Sequence, residues 1–193
     1  MPMAATPGTH RIALTVTRPG GKHESWPVEF DPEILQPVSL QPLAIIVREV
    51  DDPPGRMTEL LGLPFVETPR PIPLQGHPTD LRLGVNCAGL AIYGQRRMGA
   101  RLPYMMPPAL RRYTTLIASY SGEAPVATSN LPVRRGDLLH FGFQVAVLLE
   151  DRGRIGFLDP EDLVIHAYHA GVEELPYSRL PYRDLPFTIR RWR

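Results

Sequence analysis

Cysteine occurs once in these 193 residues, at Cys87. One thiol excludes an intrachain disulfide and a cysteine-rich zinc module, and leaves no mark of an oxidising compartment. Lysine also occurs once, as Lys22, among 21 basic residues, a bias from which no function follows. Charge of either sign is not in excess: the formal net charge is +1, which gives no long-range field for nucleic acid or an anionic membrane surface. The short basic cluster Arg190, Arg191 and Arg193 reads as a solvated end. No stretch approaches the ~20 consecutive apolar residues of a membrane span. Met1 to Gly8 has no basic region followed by an apolar core, so no export signal is expected and a cytoplasmic location is the default. There is no internal repeat and no low-complexity segment.

What the chain has in quantity is proline, 23 residues widely scattered, which favours short elements joined by rigid turns. Ile12, Leu14 and Val16 alternate with polar or small residues, Arg18 to Lys22 makes a turn, and Trp26, Val28 and Phe30 alternate again, a hairpin pattern. Leu43 to Val47 is a buried strand by composition. Residues 1–52 therefore read as a β extension. Asp51 or Asp52 caps a short helix from Pro53 or Pro54 to Leu61, ended by Gly62. The four-proline segment Glu67 to Asp80 is an extended loop. A helix is expected from Cys87 to Met98, with Gly99 as its stop, and a second from Ala109 to Tyr120. Strands follow at Arg135–Phe141, Gln144–Leu149, Leu163–Ala167 and Phe187–Trp192. A helical half followed by antiparallel strands is an α+β domain, here residues 53–193.

Cys87 falls where a helix should begin. In the first turn its sulfur meets unpaired N–H groups and the positive end of the helix dipole, which favour thiolate over thiol. That makes it a candidate nucleophile. The alternative is a small buried apolar residue, the commonest state of an unpaired cysteine.

The segment from residue 53 onward resembles the NlpC-like cysteine peptidases, bacterial relatives of the papain fold that cut peptide or amide bonds in cell-wall peptides. Four landmarks carry the resemblance, in the family's order. They are Leu61-Gly62-Leu63-Pro64-Phe65-Val66, Asn86-Cys87-Ala88-Gly89-Leu90, Gly136-Asp137-Leu138-Leu139, and Gln144-Val145-Ala146-Val147 followed by Ile165-His166-Ala167. The resemblance implies a helix bearing Cys87 packed on an antiparallel sheet. It also implies a mechanism in which the thiolate attacks a carbonyl, a strand histidine moves the proton, and backbone N–H groups hold the oxyanion.

At the base position this sequence has Gln144, whose amide does not titrate near neutral pH. The third position is His166. Phe65 replaces the tyrosine that often assists the oxyanion, and Asn86 and Ala88 stand where the family usually has an aspartate and a serine. His166, and after it His140, are the histidines that could take over the base's role. His77, in the proline-rich loop, could border the cleft. His166 and His169 face opposite sides of a strand, so no metal site is expected, and no cofactor.

Two functions follow. One is a thiol hydrolase of a peptide or peptidoglycan-like substrate. The other is a non-catalytic module whose cleft recognises a peptide or protein partner, with Gln144 supplying hydrogen bonds in place of proton transfer.

Overall fold

Two capped helices hold the mouth of the site. In the computed structural model, which describes residues 6–12, 14–17, 23–26, 28–30, 37–39, 43–48, 50–121, 124–126 and 131–193, α1 spans Pro53–Thr58 and α2 spans Cys87–Arg97. Asp52 opens α1 by accepting the Gly55 N–H at 2.6 Å, with proline in the first helical positions, where a missing N–H costs nothing. Asn86 opens α2 in the same way, accepting the Gly89 N–H at 2.6 Å. Arg96 and Arg97 sit in the last turn, where cations suit the dipole, and Gly99 at φ +94° lets the chain leave the helix.

The helices pack at Gly94, where a side chain would begin 2.3 Å from the Pro53 carbonyl oxygen. Beside this contact the carboxylate of Glu59 is buried. It accepts from the Tyr93 hydroxyl at 2.6 Å, Arg56 at 3.1 Å and Arg82 at 3.2 Å. Burial pushes its pKa up, but these donors outweigh burial and hold it below the usual carboxylate range.

The helices lie on a seven-stranded antiparallel sheet, ordered β12-β11-β10-β9-β13-β7-β8. Its strands are β7 (Thr114–Ser121), β8 (Ala124–Val126), β9 (Leu138–His140), β10 (Val145–Glu150), β11 (Leu163–Tyr168), β12 (Gly171–Pro176) and β13 (Phe187–Trp192). The alternation of a strand divides the core. Leu138, Val145, Val147, Leu149, Ile165 and Ala167 share one apolar cluster with Leu90, Ala91 and Tyr93 of α2. Leu139, Ala146, Leu148, Val164 and Ile189 form a second cluster on the opposite face, closed by Leu180, Tyr182 and Phe187. The molecule is therefore α+β. None of its described helices is long and apolar enough to cross a membrane.

The N-terminal region is β-structured. Strands β1 (Gly8–Ile12) and β6 (Leu43–Val47), β2 (Leu14–Thr17) and β3 (His23–Trp26), and β4 (Val28–Phe30) and β5 (Pro37–Ser39) form three two-stranded antiparallel sheets. The expected turn at residues 18–22 lies outside the described residues.

One element differs from expectation. In place of a helix over Ala109–Tyr120 there is a 3₁₀ turn at Pro107–Arg112 and then strand β7. The spacing of Leu110, Tyr113 and Ile117 fits a helix, but β-branched Thr114, Thr115 and Ile117 suit a strand, and β13 pairs with that segment from Tyr120 to Thr114. Strand β12, which starts at Gly171, has no apolar alternation and pairs with β11 through a two-residue turn at His169 and Ala170.

Candidate functional site

A groove of about 530 Å³ opens where five segments converge. Phe65 and Glu67 come from the loop after α1, and Asn86 and Cys87 from the start of α2. Met106 and Pro107 come from the 3₁₀ turn, Phe143 and Gln144 from the β9–β10 turn, Tyr168 from the end of β11 and His169 from the turn that follows it. The last two turns are tight for stated reasons. Gly142 at φ +86° allows Phe141 N–H to bond the Gln144 carbonyl at 2.9 Å. Gly171 at φ +112° lies so close to the Leu63 carbonyl that a side chain would start 2.4 Å from its oxygen.

Cys87 lines this groove with only 4 % of its surface exposed. Burial pushes its pKa up to about 11, while the N–H groups of Val145, Ala88 and Cys87 itself act in the opposite direction. Desolvation is the larger effect, so the sulfur rests as a thiol.

Gln144 is buried and lines the same groove, and its amide nitrogen donates to the Ala167 carbonyl at 2.8 Å and the Tyr182 hydroxyl at 3.3 Å. The Ala167 oxygen can only accept, which fixes the orientation of the amide. Tyr182 also meets His166 Nδ1 at 2.8 Å, and His166 Nε2 meets Glu173 at 3.1 Å. One pattern satisfies every member: Gln144 donates to Tyr182, Tyr182 donates to Nδ1, and the Nε2 hydrogen goes to the Glu173 carboxylate. This is neutral histidine, in keeping with burial, which lowers its pKa against the pull of Glu173.

His166 is fully buried and does not line the groove. Its neighbours at two-residue spacing, Val164 and Tyr168, belong to the sheet face covered by Tyr182, not the face covered by α2. It reaches the groove only through Tyr182 and Gln144.

His140 is also occupied. Its Nε2 donates to the Pro107 carbonyl at 2.8 Å and its Nδ1 accepts the Gly142 N–H at 3.1 Å. Burial holds its pKa below the usual imidazole value, consistent with this neutral form. The reversal at Gly142 places His140 opposite Val145, where it ties two walls of the groove together.

Asn86 caps α2 and donates to the Glu67 carbonyl at 3.1 Å, so it shapes the rim. Ala88, in the first turn of α2, is packed in the core, and its backbone N–H bonds the sulfur. Phe65 forms a wall, tilted against Tyr168 and in edge contact with His169. His77 lies in an adjoining cavity of about 480 Å³, stacked at 3.6 Å on Tyr104. The two hollows share Asn86 and Met106.

His169, weighed from the sequence only as a metal partner of His166 on a strand, lies instead in the turn after β11 and is the imidazole that lines the groove with Cys87. Its signal was the dipeptide His169-Ala170 before Gly171, a hairpin turn that becomes visible only once β12 is known. Among the described residues, no group of three or more histidine, cysteine or acidic side chains is arranged to hold a metal ion. Compared with protein-family models, curated proteins and solved structures, the chain matches none.

Proposed function

We propose that this protein is a peptide-recognition module on an NlpC-like, papain-related fold, whose groove keeps a hydrolase's cysteine but binds its ligand without cutting it. The family reading rests on the four sequence landmarks and on the placement they receive. Cys87 begins a helix, Gly136-Asp137 leads into β9, and Gln144 immediately precedes β10, which pairs with β11, the strand of His166.

One observation carries the non-catalytic reading. Gln144, which lines the groove with Cys87 and holds the position that the resemblance gives to the base, is a carboxamide fixed by Ala167 and Tyr182. His166 and His140 each have both ring nitrogens engaged by protein groups. The hydrolase reading retains two points in its favour: His169 is an imidazole that lines the groove with Cys87, and the Val145, Ala88 and Cys87 N–H groups cluster around the sulfur.

The test is titration of the full chain with the blocked peptide Ac-Ala-Lys-Ala-NH₂, followed by long incubation and mass analysis. The expected result is binding that Cys87→Ala leaves within about twofold and Gln144→Ala weakens about tenfold, the scale of one lost buried hydrogen bond, with the peptide intact at the end. Cleavage that disappears in Cys87→Ala would replace this proposal with the hydrolase.

A further inference from the structure

The chemistry of the groove wall narrows the ligand class, on the premise that the groove binds peptides. Both amide hydrogens of Gln144 are spent inside the protein, on Ala167 and Tyr182. The end left for a ligand is its carbonyl oxygen, a fixed acceptor on a side chain 97 % buried by its 3 % residual exposure. Such a group recognises a donor.

The rest of the wall agrees in sign. Among its residues there is no lysine or arginine, His169 is the one basic side chain, and Glu67 at the rim has no ion-pair partner among the described residues. Phe65, Phe143 and Tyr168 bring three aromatic rings to the same hollow, and Phe143 is 60 % exposed with room for a ligand. Aromatic faces, one carboxylate and a carbonyl oxygen are the elements that accommodate an ammonium group: ring quadrupoles attract the charge and oxygen acceptors take its N–H bonds.

We infer that this groove binds the primary ammonium of a peptide, held by Gln144 Oε1, the Glu67 carboxylate and the rings of Phe65, Phe143 and Tyr168. A lysine side chain and a free amino terminus carry the same group, and the experiment separates them.

Isotope-labelled full chain is titrated by NMR at low salt with four blocked or free probes: Ac-Ala-Lys-Ala-NH₂, its norleucine analogue, Ala-Ala-Ala-NH₂ and acetylated Ala-Ala-Ala-NH₂. The lysine peptide, the free-amino peptide or both should bind about threefold to tenfold tighter than the uncharged counterpart, the range of an exposed cation–π contact with a rim charge. Which of the two shows the preference identifies the source of the ammonium. Glu67→Gln, which removes the charge and keeps the shape, should reduce that preference about threefold, and Phe143→Ala should weaken the charged peptide about threefold more than its uncharged counterpart. Equal binding of charged and uncharged peptides, or a preference untouched by both substitutions, overturns the ammonium assignment and leaves peptide recognition standing. No groove shifts with any probe overturn both.

Discussion

Tyr182 stands between Gln144 and His166, its hydroxyl 3.3 Å from the amide nitrogen of one and 2.8 Å from Nδ1 of the other. It joins the groove to a histidine on the far face of the sheet. All three residues are buried, so each polar atom depends on the others and not on water.

Tyr182→Phe keeps the ring contacts with Phe141 and Tyr168 but removes that link. His166 Nδ1 is left as a buried acceptor and Gln144 loses one partner. The expected cost is about 1–3 kcal/mol in urea unfolding at unchanged m-value. A midpoint equal to the wild type's would mean that the hydroxyl is not a structural link.

Cys87 should alkylate slowly at neutral pH. With a pKa of about 11, roughly 0.03 % of the sulfur is thiolate at pH 7.5, against about 10 % for a free thiol of pKa ~8.5. Iodoacetamide labelling followed by mass spectrometry should therefore run more than a hundredfold slower than for a model thiol, and rise steeply towards pH 10. A rate that has already levelled off near pH 7 would indicate a stabilised thiolate and support hydrolysis.

The features legible in the sequence were those set by local chemistry. Asp52 announces a helix start because its side chain caps its own first turn, and Cys87 was placed at a helix start by the apolar spacing that follows it and the stop at Gly99. Strands β9, β10, β11 and β13 were readable from their apolar runs. The errors lie where a distant partner decides. Thr114 to Ser121 became a strand because β13 lies beside it, more than sixty residues along the chain. The roles of His140 and His166 depended on Pro107, Tyr182 and Glu173, none of which can be paired with them by spacing. Groove membership of His169 required knowing that β11 and β12 join in a two-residue turn.

Gly94→Ala separates helix propensity from packing. In a helix interior alanine is favoured over glycine by about 0.8–1.0 kcal/mol, so the substitution alone should stabilise α2. Here the new methyl would lie 2.3 Å from the Pro53 carbonyl oxygen and 2.7 Å from the Met57 side chain. The Met57 end can swing away, whereas a backbone oxygen at that distance forces the helices apart. Packing should win, with a net loss of about 1–3 kcal/mol in urea unfolding. An increase in stability would show that α1 and α2 separate at little cost.

Asp162 should give stability an acid-side slope of unusual sign. Its buried carboxylate accepts N–H bonds from Arg152 at 2.7 Å and Asp159 at 2.9 Å, which favour ionisation. Burial opposes them and prevails, aided by the neighbouring Asp159 and Asp151 charges, and the pKa rises to about 6 from an ordinary 3.8. A carboxyl whose folded pKa exceeds its unfolded one contributes stability that is complete below about pH 4 and lost as pH climbs through about 6. Asp52 and Glu59 act in the reverse direction, because their folded pKa values are lowered and their contribution fades as acid protonates them. The net curve mixes both, so the test is a difference. The Tm of wild type minus that of Asp162→Asn, measured between pH 4 and pH 7.5, should shrink steadily as pH rises. The asparagine is expected to be less stable at pH 4, since its amide can accept only one of the two N–H bonds. At pH 7.5 that handicap is offset by the absence of a buried charge, and the gap should narrow by several degrees. A difference that stays flat across the range would mean that Asp162 ionises as an ordinary carboxylate.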